Sequence, residues 1–264
     1  MMKRTIPYII ISMMAFRAFA QELSIGSLYV TSTDEEKLLG DGNDKWANRL
    51  PVICDMISFE QPDIMGLQSL TATQLSAIIY RVRTTHTAAG NILYNKSALT
   101  LLDNGTVDDM PEGSTCSWAW LQKEERSFYV FNVCLPDDAS AANLSTTSLL
   151  NAITEVNAEG LPCFIVGYLG TNETQQPYRR LTARYPDCYA KAAVVSAEYG
   201  TRNNFDLADN HGNERFDFVL APKTATVKAY GQLQYGYYTQ ESGGSYKRRL
   251  PSAHFPIVAK VTLP

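Results

Sequence analysis

Leu161-Pro162-Cys163-Phe164-Ile165-Val166 is apolar at every step and stops at Gly167-Tyr168-Leu169-Gly170. A short run apolar at both alternate sets of positions reads as a central strand buried on both faces, so layers must lie on either side of it. The rest of the chain alternates strand-like and helix-like patterns without a linker, repeat or low-complexity break. Leu23 to Thr31 is strand-like. Trp46, Arg49, Leu50, Ile53, Met56, Ile57 and Glu60 follow helical spacing, with Asn43 or Asp44 as the candidate cap. Pro51 is tolerable there only near the first turn. Asp63 to Leu67 reads as a short buried strand, Ala72 to Arg81 as a helix, and Ala141 to Asn157 as another. Ile92 to Tyr94, Thr100 to Thr106, Cys116 to Leu121 and Phe128 to Cys134 read as strands. After a looser region reaching about Asn213, Phe216 to Leu220 and Phe255 to Ala259 supply the last core strands. Hairpins mixed with helical crossovers indicate an α/β (α+β) fold of two packed mixed sheets flanked by helices.

The first 20 residues read differently. Lys3 and Arg4 precede an apolar stretch from Ile6 to Phe16, and Ala18-Phe19-Ala20 offers a small-x-small cleavage site before Gln21. This pattern is expected to be a signal peptide of bacterial type, sending the protein to the periplasm or cell exterior. Residues 21–264 are then expected to form one domain. No second long apolar segment follows, so no transmembrane segment is expected. Losing Lys3, Arg4 and Arg17 takes three cations from a net charge of −4 and leaves −7. Such an acidic protein lacks the electrostatic footprint for gripping nucleic acid non-specifically. Lys247-Arg248-Arg249 is the one basic run and reads as a solvated loop. Five cysteines, Cys54, Cys116, Cys134, Cys163 and Cys188, have no metal-knuckle spacing. Some can pair in an exported protein, and an odd number leaves at least one free or bonded to another chain.

Six segments occur in an order that carries more information than any one of them. They are Gly40-Asp41-Gly42-Asn43-Asp44-Lys45-Trp46-Ala47-Asn48-Arg49, then Gln61-Pro62-Asp63-Ile64-Met65-Gly66-Leu67-Gln68-Ser69, then Phe131-Asn132-Val133-Cys134. Val166-Gly167-Tyr168-Leu169-Gly170, Arg215-Phe216-Asp217-Phe218-Val219 and Arg248-Arg249-Leu250-Pro251-Ser252-Ala253-His254-Phe255-Pro256 complete the set. In this order the chain resembles the endonuclease/exonuclease/phosphatase superfamily over essentially all of residues 21–264. The resemblance implies a DNase I-like four-layer sandwich. It also implies phosphate-ester hydrolysis with Mg²⁺ or a similar cation held by carboxylates, and a His–Asp pair handling the attacking water.

Residue by residue, the resemblance breaks at the chemistry. The family's opening-strand Asn falls on Tyr29, its metal-binding Glu on Ser69, and the His of Asn-Thr-His on Cys134. The Asp and Asn of Gly-Asp-x-Asn fall on Tyr168 and Gly170, and the Asp of Ser-Asp-His falls on Ala253. Only Asp217 and His254 keep their identity. The surrounding framework persists in Trp46, Arg49, Asp63, Gly66, Gln68, Asn132, Gly167, Ser252 and Pro256. Ser69 is a weak neutral ligand and Tyr168 is poorly suited to Mg²⁺, so no metal or other cofactor is expected. Asp137 and Asp138 read as solvated loop acids, and His86 and His211 as surface residues.

The expectation is therefore a catalytically inactive domain, a pseudoenzyme, that binds a ligand or partner. A glycan, a phosphate ester and a protein are the open classes. Tyr29 and Tyr168 either fill the old cleft or floor a binding site. Tyr230, Tyr235, Tyr237, Tyr238 and Tyr246 form either a recognition patch or ordinary hairpin packing. Asp217 and His254 are read as a residual dyad, foremost a satisfied polar pair. The alternative is a divergent metal-dependent phosphodiesterase or phosphatase, retaining only that pair and using Mg²⁺ or Mn²⁺ through acids not yet placed. A third reading is an assembly role with the cleft packed shut.

Overall fold

In the computed structural model, residues 21–206 and 212–263 are described; the expected signal peptide and His211 lie outside them. The chain starts with β1 (Gln21–Tyr29), α1 (Thr33–Leu39), α2 (Trp46–Glu60), β2 (Ile64–Gln68) and α3 (Ala72–Val82). Five strands follow: β3 (His86–Ala89), β4 (Ile92–Asn95), β5 (Thr100–Thr106), β6 (Thr115–Lys123) and β7 (Arg126–Cys134). Then come α4 (Ala139–Val156), β8 (Cys163–Tyr168), α5 (Gln176–Thr182), α6 (Cys188–Lys191), β9 (Val194–Ser196) and β10 (Asp217–Leu220). The chain ends with β11 (Thr226–Gln232), β12 (Tyr237–Gln240), β13 (Tyr246–Arg249) and β14 (Ile257–Leu263). A seven-stranded mixed sheet has the order β3-β4-β2-β1-β14-β11-β9, a five-stranded one the order β10-β8-β7-β6-β5, and β12-β13 is a separate ribbon.

Strand β8 shows why the layers stack as they do. Phe164 and Val166 point between the two sheets, where they join Ile25, Ile64, Val130, Ile257 and Ala259. Cys163 and Ile165 point the other way, onto Leu149, Leu150 and Ile153 of α4. On the far side, α2 and α3 close the seven-stranded sheet through Ile53, Met56, Ile57 and Ile78 against Leu28, Met65 and Leu67. Helix, sheet, sheet and helix give the four layers. Of the run Leu161–Val166, Cys163–Val166 is buried on both faces as expected, while Leu161 and Pro162 precede the strand and are partly exposed.

Several local expectations change. Helix α2 is capped by Lys45 without a side-chain bond, not by Asn43 or Asp44, and it runs through Pro51. The region before Asn213 holds α5, α6 and β9 instead of loose chain. His86 is not a surface residue: it is buried, with Nε2 2.8 Å from the Pro62 carbonyl and Nδ1 2.8 Å from the Thr85 hydroxyl. The basic run is not a solvated loop either, because it forms β13 and its last member, Arg249, is buried. Arg249 meets Asp41 at 2.5 Å, Asp44 at 3.1 Å and Glu241 at 2.7 Å, fastening the ribbon to the segment before α2. All five cysteines are free. Among the described residues no helix is long and apolar enough to cross a membrane.

Candidate functional site

Parallel pairing of β1 with β2 sets Tyr29 beside Gln68, and Ser69 follows at once. In the other sheet, parallel β7 and β8 bring Cys134 level with Tyr168, and antiparallel β10 brings Asp217 opposite Tyr168. One end of the sandwich therefore gathers the replaced positions. Framework residues stitch this end together. The Asn132 carboxamide donates to the Leu67 and Asn91 carbonyls at 3.0 and 3.1 Å and accepts from Gln68 Nε2 at 2.6 Å. Gly66 leaves room for that contact, since a Cβ there would lie 2.6 Å from Asn132 Oδ1. Arg49, fully buried, donates to the carbonyls of Val30, Thr31 and Pro251 and so ties the end of β1 to the loop carrying His254.

His254 Nδ1 lies 2.8 Å from Asp217 Oδ2, the pair expected from the sequence, and both side chains are buried. Asp217 Oδ1 is buried without a hydrogen-bond partner among the described residues. The Tyr29 ring stacks flat on the imidazole, with centroids 4.0 Å apart and planes 11° apart. Tyr168 meets both rings edge-on, at 5.1 Å from Tyr29 and 5.3 Å from His254. These two tyrosines thus fill the ground around the dyad. Ala253 adds a fully buried methyl beside it.

The cleft is nevertheless not closed. A cavity of about 490 Å³ remains beside the aromatic cluster, lined by Tyr29, Ser69, Cys134 and Tyr168 together with Glu35, Asn91, Thr115 and Asp137. Glu35, on α1, accepts hydrogen bonds from the Tyr29 and Ser69 hydroxyls and from Ser32. Burial pushes its carboxyl up, but hydrogen bonds from Ser69, Tyr29 and Ser32 outweigh it and hold it below the usual range. Asp137 is an exposed loop acid, as expected, but it also accepts from the Tyr168 hydroxyl and lies 3.3 Å from Arg202. Asp138 caps α4. Burial raises both tyrosine hydroxyls well above their ordinary range, and the carboxylates they bond to add to this. Burial also pushes the Cys134 thiol up to about 12, so it is a protonated wall group and no nucleophile.

A hard divalent cation takes six or more oxygens, several of them water, so Mg²⁺ asks the protein for one or two carboxylates free to face it. Here the Ser69 hydroxyl donates to Glu35, and the ring of Tyr168 stands edge-on to His254 at the position where the resemblance implies a carboxylate. Glu35 and Asp137 are each engaged by a tyrosine, and among the described residues no three His, Cys, Asp or Glu side chains are grouped to hold a metal. This donor set does not fit Mg²⁺. Gly170 adds a backbone obstacle: its φ is +64°, and a Cβ would lie 1.9 Å from the Pro136 carbonyl oxygen.

Sequence reasoning missed Glu35, Asn91, Thr115 and Arg202. Glu35 had a readable signal, because Ser32-Thr33-Asp34-Glu35 is a capping box and both of its bonds form. The other three carried none. Of the tyrosine group, Tyr230 is buried, Tyr235 and Tyr237 donate to Glu60 and the Asn43 carbonyl, and only Tyr238 and Tyr246 stand exposed.

No protein-family model matches the chain, and no curated protein matches it. Solved structures do. An endonuclease/exonuclease/phosphatase family protein from Bacteroides thetaiotaomicron superposes with a TM-score of 0.84 at 22% identity, covering 93% of this chain and 99% of that one. A mannosyl-6-phosphatase of Bacteroides thetaiotaomicron VPI-5482 gives 0.81 at 22% identity, covering 90% and 99%. TDP2 of D. rerio, complexed with a single-strand DNA product, gives 0.64 at 15% identity, covering 91% and 98%. The motif order and the superpositions agree: this chain has the fold of the endonuclease/exonuclease/phosphatase superfamily.

Proposed function

We propose that this protein is an exported, non-hydrolytic domain of the endonuclease/exonuclease/phosphatase fold that uses the cleft beside Tyr29 and Tyr168 to bind a ligand. The observation that carries the reading is the stack of Tyr29 on His254 at 4.0 Å, which covers the one retained acid–base pair. A general base contributes about 10²- to 10⁴-fold on its own, far short of what phosphate-ester hydrolysis requires. The remaining volume of about 490 Å³ lies within the range of small-ligand pockets and speaks against a cleft packed shut. Similarity to a mannosyl-6-phosphatase makes sugar phosphates the first substrates to try.

The test is phosphate-ester cleavage by the purified chain from Gln21 onward, read as leaving-group release from a chromogenic phosphodiester and as phosphate release from a phosphomonoester. A generic phosphodiester and a hexose 6-phosphate are supplied with Mg²⁺ or Mn²⁺, alongside His254→Ala. The expected result is no release above the buffer blank from either protein. Metal-dependent turnover that disappears in His254→Ala overturns the proposal. That outcome establishes the second reading, a divergent phosphoesterase, which the 2.8 Å bond between Asp217 and His254 favours.

A further inference from the structure

Among the described residues, the wall of the cleft carries no Lys, Arg or His side chain. Its two charged groups are carboxylates, Glu35 and Asp137. Arg202 reaches the edge of this wall, donating to the Tyr168 hydroxyl, matched by Asp137 at 3.3 Å and lying over the Phe216 ring at 4.4 Å. A phosphate entering here meets the uncompensated Glu35 carboxylate and, among the described residues, a single cation already matched by Asp137, so the charge pattern disfavours the ligands a phosphoesterase needs. Neutral hydrogen-bonding capacity is plentiful by contrast. Among the described residues the Asn91 carboxamide and the Thr115 hydroxyl have no hydrogen-bond partner, although both line the cavity. The Asn91 backbone carbonyl is the part engaged by the framework, accepting from Leu67 and Asn132. Among the described residues, the outer oxygen of Asp137 is engaged only by Arg202, at 3.5 Å. A carboxamide donates and accepts, and a carboxylate oxygen accepts from more than one donor. With a tyrosine ring beside them, these groups suit a ring bearing several hydroxyls.

We propose that the cleft binds a neutral carbohydrate and discriminates against its phosphorylated form. The inference rests on the non-hydrolytic reading above and adds the class of ligand. The probe is an array of neutral, amino and 6-phosphorylated glycans presented to the purified chain. Affinities for array members that bind are then measured by calorimetry. Expected are binding to neutral glycans and at least about tenfold weaker binding to the phosphorylated counterpart. Asn91→Ala and Thr115→Val, both at groups the framework does not use, are expected to weaken binding about tenfold each (roughly one lost hydrogen bond). A preference for phosphorylated or amino glycans, binding indifferent to both substitutions, or no array member bound overturns the inference. Phosphate released from the array overturns the non-hydrolytic reading instead, so the two failures are told apart.

Discussion

A methyl group on Gly170 would sit 1.9 Å from the Pro136 carbonyl oxygen, and the residue already holds a left-handed φ of +64°. Either the strand end or the Pro136 loop must move to admit any side chain. Gly170→Ala is therefore expected to cost about 3 kcal/mol or more, read as a lower urea midpoint by circular dichroism. A change below about 0.5 kcal/mol would show that the loop yields freely. His86 makes the second residue-scale case. Burial lowers its pKa, against smaller opposing effects from its bond to Pro62 and from Asp63. The unfolded chain then binds a proton near pH 6.5 that the folded chain resists, so stability is present above that pH and falls as pH drops below it. Unfolding free energies at about pH 7.5 and 5.5 should differ more in the native protein than in His86→Gln. An identical difference in both proteins rejects the assignment. The sequence let Tyr29, Ser69, Cys134, Tyr168, Gly170, Asp217, Ala253 and His254 be placed together, because each stands at the end of a recognisable strand or in a recognisable loop. It concealed Arg202 and Asn91, whose positions depend on how distant loops fold back.

Elements differ in what fastens them. Helix α1 buries none of its residues, and Leu38 stands 84% exposed. Its anchors are polar: Glu35 on Tyr29 and Ser69, and Glu36 on Arg49 at 2.6 Å. That explains why no hydrophobic pattern announced it. The β12-β13 ribbon is held likewise, by Arg249 against Asp41, Asp44 and Glu241. Arg249→Met leaves Asp44 buried without its counter-charge and should cost about 3–5 kcal/mol, a loss typical of halving a buried pair. Urea unfolding measures it, and a loss under about 1 kcal/mol would demote the pair to surface strength. Helix α2 taught the opposite lesson: Pro51 sits inside it, and packing of Ile53, Met56 and Ile57 overrides the local penalty.

For the whole molecule, the four-layer arrangement was legible because a strand apolar on both faces demands cover on both, and six ordered segments pointed to one architecture. The cavity was not legible, since its size depends on how the Tyr29 and Tyr168 rings turn. A global consequence concerns metals. A cation bound by the native state alone raises stability by about 2.7 kcal/mol when supplied at a hundred times its Kd. Millimolar Mg²⁺ or Mn²⁺ should leave the melting temperature of this protein unmoved, and an upward shift that grows with concentration would reveal a site the present donor set does not offer.

The five unpaired sulfurs carry one more implication. Four are buried and the fifth, Cys134, is half-buried, so the native molecule holds no bridge to break. Its melting should ignore added reductant. Hazard is confined to the unfolded chain, where any two thiols can meet and scramble under oxidising conditions. If the leader does deliver this protein to such a compartment, its yield is decided by a race between collapse and oxidation.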